Sequence, residues 1–311
     1  MEAFRQRLQT LHSDTVHLTD VKFLSDLDRA QAQALREAWP GLPLELRRRL
    51  VGSMAELAEE NVEYTFSRAL KVALHDEDAW VRAAAIAALW EDEGEDFLAY
   101  LLDEAVPDAD LAVREAAVQA LAHFSQLVVE DALSQRWYAP LRAHLLALVR
   151  GDDTLDVRRR ALEALAVYTD DVDVTREIER AYASDDEELG MSALYAMGRN
   201  LDERWLDTII KEMDNPSPGL RFEATRASGE LGDRRAVPAL VERLGDDDRE
   251  VQLAAIGSLG RIGDQASLTI LRRLTHSKDD AVREAAEEAV DEASFINNPL
   301  GPGGRLDLSE S

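Results

Sequence analysis

The sequence predicts an all-α solenoid built from about eight antiparallel helix pairs. Two observations carry this expectation: a phrase recurring at a period near 31 residues, and helical spacing of the apolar residues within each copy. Strand-like alternation does not compete anywhere along the chain. The phrase reads apolar, Arg, two variable residues, Ala, apolar, two variable residues, apolar. It begins at Leu46, Val81, Val113, Val157, Leu189, Leu220, Val251 and Val282, with steps of 35, 32, 44, 32, 31, 31 and 31. Apolar residues fall at offsets 0, +4, +5 and +8, as in Val81, Ala85, Ile86 and Leu89, and at about 100° per residue these form one stripe of a helix. These segments are the inner helices. Fixed periods of this length mark stacked repeats, in which each unit buries its apolar face only against its neighbours.

Taken in order, residues 1–41 read as a polar arm followed by one capping helix, Asp26 to Trp39. Residues 42–293 read as one continuous array, in which an outer helix precedes each inner one: Val62 to Leu74, Asp96 to Val106 and Ala236 to Leu244 are the clearest. Residues 294–311, SFINNPLGPGGRLDLSES, carry Gly and Pro without periodicity and read as a disordered tail. Leu306 and Leu308 in that tail are a candidate short docking motif.

The turn Asp, the Val-Arg pair five residues later and the Ala-rich helix ending in Leu-Gly-x-Ile-Gly-Asp resemble HEAT repeats of the short type first associated with phycobilisome lyases. Leu259-Gly260-Arg261-Ile262-Gly263-Asp264 and Gly229-Glu230-Leu231-Gly232-Asp233 carry the likeness best. The resemblance implies a right-handed superhelix of armadillo/HEAT type. It implies little about function, because such repeats serve many unrelated proteins.

Five residues before each apolar start stand Asp76, Asp108, Asp152, Ser184, Asn215, Asp246 and Ser277, all residue types suited to a helix N-cap. One residue after the start stand Arg82, Arg114, Arg158, Gly190, Arg221, Gln252 and Arg283. In HEAT families the corresponding Asp and Arg form a ladder between adjacent repeats. The resemblance therefore implies a structural ladder of Asp76, Asp108, Asp152 and Asp246 with Arg82, Arg114, Arg158, Arg221 and Arg283, lapsing at Gly190 and Gln252.

Charge narrows the function. The 311 residues include 62 acidic and 35 basic side chains, a net charge of −27. Nucleic-acid and anionic-membrane binding depend on clustered cations, so this balance opposes both. Eighteen of the acids cluster at the starts of inner helices, where each favours the positive end of the helix dipole by about 0.3–1 kcal/mol. They predict an acidic rim that serves as a solvated capping edge or as a surface for basic partners. Only four of the basic residues are Lys. That composition is expected from a GC-rich genome or a salt-adapted host, and runs against the Lys and Glu enrichment of hyperthermophiles.

Catalytic signatures are absent. Without Cys there is no thiolate chemistry. None of the six His residues is followed by Glu, so the His-Glu iron motif of the HEAT-like deoxyhypusine hydroxylases is missing. No HExxH helix, phosphate loop or Gly-x-Ser-x-Gly elbow occurs. The expectation is a non-enzymatic protein without cofactor or metal. The N-terminus shows no signal-peptide pattern and no run approaches the roughly 18 apolar residues of a membrane span, which predicts a cytoplasmic protein.

Departures from the average repeat mark candidate sites. At offsets +2 and +6, on the inner-helix face opposite the core, the repeats starting at Leu189, Leu220 and Val251 carry Met191, Tyr195, Phe222 and Leu253 where polar groups are expected, flanked by Arg199 and Arg226. This predicts a partner-binding apolar patch on the concave face; tighter packing between curved neighbours is the competing explanation. The step of 44 inserts about a dozen residues, with Trp137 and Tyr138 adjacent in what reads as a long turn, either as a binding knob or as a plug beneath the insertion. The leading functional expectation is a scaffold binding another protein. A phycobilin-lyase-like or ligand-carrying protein that holds a tetrapyrrole is the alternative implied by the resemblance.

Overall fold

The computed structural model describes residues 1–10 and 21–297, and every regular element among them is helical. Of the expected tail, residues 294–297 continue the last helix, and the rest, with Leu306 and Leu308, lies outside the described residues. The chain forms two compact units, Met1–Ala164 and Leu165–Ser311.

In the first unit the inner helices Leu44–Glu60, Ala79–Ala88 and Leu111–Val129 pack in series. The outer helices Ser67–Ala73 and Glu95–Tyr100 precede the second and third of these, and the latter runs into a π-helical turn, Leu101–Ala105. The residues ahead of the capping helix are not a polar arm throughout. Glu2–Thr10 is an α-helix because Phe4 and Leu8, one turn apart, are both buried, with Phe4 meeting Phe23 edge-on at 5.5 Å. The capping helix itself, Arg29–Ala38, starts at a capping box: Asp28 accepts from the Gln31 amide at 2.7 Å and Gln31 accepts from the Asp28 amide at 2.8 Å.

The extra residues of the third repeat lengthen its inner helix to 19 residues instead of forming one long turn. Phe124 lies inside that helix, buried against Phe97 with ring centroids 5.9 Å apart. Burial of the apolar residues Leu121, Phe124, Leu127 and Val128 sustains helix where sequence comparison shows only an insertion.

The second unit is more regular. Its inner helices Glu187–Asn200, Pro218–Leu231, Arg249–Ile262 and Asp280–Asn297 pack in series, and Val172–Tyr182, Leu206–Glu212, Val237–Arg243 and Gln265–Leu274 each pack on the inner helix that follows. Close approach between inner helices depends on small residues at offset +9. A Cβ on Gly198 would lie 2.6 Å from Ala227 Cα, one on Gly229 2.7 Å from Ser258 Cα, and one on Gly260 3.0 Å from Ala289 Cα. Each glycine therefore sets the interhelical distance at its level.

The turns before the inner helices divide their work between two side chains. The residues five before the apolar start are not the N-caps. The caps stand two residues later: Asp78, Asp110, Asp186, Ser217 and Asp248 accept from amides of the first turn. Asp76, Asp108 and Asp246 instead accept from the amides of Asp78, Asp110 and Asp248 at 2.8–2.9 Å, closing the turn that presents the cap. The remaining capacity of these carboxylates is used by arginine from the preceding repeat.

Arg82 Nε and Nη2 donate to Asp108 at 3.0 and 2.9 Å, while its Nη1 donates to the carbonyls of Asp76 and Glu77 at 2.8 and 3.1 Å. Arg221 repeats this with Asp246 at 2.9 and 2.7 Å and the carbonyls of Asn215 and Pro216 at 3.0 and 3.1 Å. One guanidinium thus ties its own turn to the next. Arg114 does the same but pairs with Asp153 at 2.9 Å on both oxygens, not with the expected Asp152, which is exposed. The insertion shifts that turn by one residue. Arg158 donates to the Val149 carbonyl, and Arg283 to Asp280 beside it, with no turn beyond to reach among the described residues. Gln252 takes only the local half of the role, donating to the Asp246 carbonyl.

Asp76 is bound from the other side, by buried Arg47 at 2.7 Å and by Trp39 Nε1 at 2.6 Å, so the capping region is fastened to the first full turn. Arg47 occupies the same offset as the other ladder arginines. The Arg114 and Arg221 guanidinium groups hold the carboxyls of Asp153 and Asp246 below the ordinary aspartate range. At Asp108 burial pushes upward, but Arg82, the Asp110 amide and Arg114 together outweigh it and the net direction is again down.

Two outcomes follow. Gly229→Ala should lower unfolding stability by about 1–3 kcal/mol, read from the urea midpoint, because its methyl must displace backbone at Ser258. Asp246→Asn keeps a turn acceptor, as Asn215 shows by accepting from the Ser217 amide at 2.9 Å, but removes the charge facing Arg221. Asp246 has a folded-state pKa below its unfolded value, so its stabilisation is complete above about pH 4 and disappears as pH falls through the lower, folded value. The variant should be about 1.5–3 kcal/mol less stable at pH 7, and its difference from the parent should close below pH 4.

Candidate functional site

All six residues of the expected patch lie in the second unit, on three of its inner helices. Met191 and Tyr195 stand one turn apart on Glu187–Asn200, Phe222 and Arg226 on Pro218–Leu231, and Leu253 and Gly257 on Arg249–Ile262. Met191, Tyr195, Arg199, Phe222, Arg226 and Leu253 are each half-buried. Met191 lies over the next helix at Gly219, where an added Cβ would meet Sδ at 2.8 Å. The Arg226 guanidinium sits 5.7 Å from the centre of the Phe222 ring, a cation–π distance, and 3.6 Å from Glu223.

Gly257 completes the surface from the sequence's other departure at offset +6. A Cβ there would find nothing within 4 Å. Gly257 stands one turn after Leu253, and the helix surface there carries no side chain. On the last inner helix the same offsets carry Glu284 and Glu288, both exposed. The face thus runs from apolar with arginines to acidic.

Chain geometry behind the patch is set by the ends of these helices. Leu201, Gly232 and Gly263 stop successive inner helices in the left-handed conformation, at φ of 57°, 70° and 60°. Asp202, Asp233 and Asp264 then cap the elements that follow. Leu201 departs from the glycine at this position, and its side chain is 59% exposed. Beneath it Asn200 is buried, donating to the Ala166 carbonyl at 3.0 Å and accepting from Trp205 Nε1 at 3.3 Å. These bonds fix the descent from the helix bearing Met191 and Tyr195 into the next outer helix.

Trp137 and Tyr138 fall in the first unit, where a 3-10 turn, Gln135–Trp137, leads into helix Tyr138–Arg150. Both are half-buried, and the Arg136 guanidinium lies 5.3 Å from the Trp137 ring centre. Among the described residues no three His, Asp or Glu side chains converge as a metal-ligand set, and no helix is long and apolar enough to cross a membrane.

Comparison with known proteins agrees with the packing pattern. Residues 206–291 match the family model for HEAT repeats. The chain superposes on yeast importin-β (Kap95p) with a TM-score of 0.58 at 14% identity, covering 94% of this chain and 46% of that one. Importin-β crystallised in ammonium sulfate gives 0.55 at 15% identity over 94% and 46%, and Kap95p studied with RanGDP gives 0.55 at 14% over 94% and 46%. The chain thus spans less than half the length of these structures. No curated protein matches the sequence. At such identities the likeness shows the fold, an all-helical solenoid of HEAT/armadillo type. The likeness to the phycobilisome-lyase subtype finds no counterpart in these comparisons.

Left-handed backbone costs a non-glycine residue about 1–2 kcal/mol, partly returned here by the lower unfolded-state entropy of leucine relative to glycine. Leu201→Gly should therefore raise stability by about 0.5–1 kcal/mol, visible as a higher urea midpoint.

Proposed function

We propose that this HEAT-type scaffold binds another protein through the concave inner-helix face of its second unit, at Met191, Tyr195, Arg199, Phe222, Arg226 and Leu253. The observation that supports the reading is the Arg226–Phe222 stack beside half-buried Met191, Tyr195 and Leu253. The aromatic, methionine and arginine content matches residues enriched in interface cores, and the Arg226–Phe222 stack presents a large, semi-rigid contact. Glu284 and Glu288 at the end of the face favour a partner segment that is apolar at one end and basic at the other.

Three variants test this face. Phe222→Glu and Tyr195→Ala remove apolar contact, and Gly257→Arg places a large charged side chain beside Leu253, with its Cβ touching no other atom of the chain. Recovery of the bound partner from host extract should fall about tenfold or more with each, at unchanged circular dichroism. Undiminished recovery by all three folded variants would eliminate the site.

A further inference from the structure

A second docking surface lies in the first unit, where one inner helix stops early. Helices Glu187–Asn200, Pro218–Leu231 and Arg249–Ile262 each have 14 residues, whereas Ala79–Ala88 has ten. All four begin two residues before the apolar start, so the short one lacks its last turn. The lost turn is the one that makes the close approach. In the second unit Gly198, Gly229 and Gly260 at offset +9 press on Ala227, Ser258 and Ala289 at offset +7 of the next helix. In the first unit the same two offsets are Trp90 and Ala120.

Trp90 does not cover Ala120. Its side chain is 62% exposed, and Ala116, Ala120, His123 and Phe124 of the next helix line an open cavity of about 270 Å³ with Trp90 at its edge. On its other side Trp90 borders a second cavity of about 490 Å³, shared with Val62, which is 93% exposed. A large aromatic thus stands between two hollows, one of them floored by the small residues that elsewhere receive a helix.

The charges around this notch define what fits it. Helices Leu44–Glu60 and Ala79–Ala88 both end here, and neither carries a basic residue in its last turn. Helix C-termini favour cations. Instead Glu59, Glu60, Glu63 and Glu91 are exposed, without ion-pair partners among the described residues, and Glu93 reaches only His123, at 3.8 Å. Of the nearby cations, Lys71 is already held by Asp92 at 3.0 Å and Asp96 at 2.9 Å, and Lys22 lies over the Tyr64 ring, 5.0 Å from its centre, at the border of the larger cavity.

We infer that this notch receives a short helical segment of a partner protein that carries large apolar side chains flanked by Lys or Arg. An apolar side chain enters the hollow over Ala120 and stacks on Trp90, replacing the missing turn. Its basic flanks meet Glu91, Glu93 and the Glu59, Glu60 and Glu63 group. The notch shares no residue with the Met191 face, so the two readings stand or fall independently.

The test uses the full-length protein and a synthetic 16-residue amphipathic Leu/Lys helix, with a Ser/Lys peptide of equal charge as control. Binding is read by fluorescence anisotropy at about 0.15 M salt, and the Trp90 contribution by subtracting the emission of Trp90→Phe. The Leu/Lys peptide should bind at least about tenfold more tightly than the Ser/Lys peptide and blue-shift Trp90 emission. Trp90→Ala and Ala120→Arg should each weaken it about tenfold, and Phe222→Glu should leave it unchanged. Equal affinity for both peptides, or binding indifferent to both notch variants, would reduce the effect to general attraction by the acidic chain and overturn the inference. Concentration-dependent dimerisation abolished by Trp90→Ala would equally overturn it, making a second copy the occupant.

Discussion

The structure depends on how one carboxylate is shared in the turns of Asp76, Asp108 and Asp246. In the sequence Asp-x-Asp, the second aspartate caps the coming helix and the first closes the turn. The first also accepts a bidentate guanidinium from the previous repeat, as Asp108 does from Arg82 and Asp246 from Arg221. The same guanidinium holds two carbonyls of its own turn, so a single side chain fixes the distance and orientation between consecutive turns. The helices then have little freedom in how they layer. Much of the acidity of the chain follows from repeating this device, and only the carboxylates outside it, such as Glu59, Glu60 and Glu91, remain available to a ligand.

Helix spacing is set a second time at the far ends of the inner helices, by Gly198, Gly229 and Gly260. In the second unit helices Pro218–Leu231 and Arg249–Ile262 are held at two points, by Arg221 with Asp246 at one end and by Gly229 at the other, while the ladder lapses at Gly190 and Gln252 and the glycine contacts at Gly198 and Gly260 remain. Where the second point is missing, at Trp90, the helices are still held by Arg82 and Asp108, and the far end gapes.

Sequence periodicity revealed the helices and the offsets of the outward face, because a buried stripe must repeat with the helical turn. It misplaced the caps by two residues, since an aspartate closing a turn and one capping a helix look alike in composition; only the hydrogen bonds separate Asp246 from Asp248. The helix at Phe4 and Leu8 was too short to show a period. Arg47 occupied the ladder offset in a less regular repeat and was overlooked. Trp90 interrupts a column of small residues formed by Ala55, Ala122, Ala166, Gly198, Gly229 and Gly260, but that column has meaning only once its members are known to touch the next helix.

The link between Arg114 and Asp153 joins residues 39 apart, against 26 for Arg82 and Asp108 and 25 for Arg221 and Asp246. The additional chain leaves and returns between two turns that are already clamped, so its length is mechanically uncoupled from the rest. The short connection from Asp131 to Ser134 is consequently a natural splice point: foreign sequence entering there would be carried by the array without entering its register.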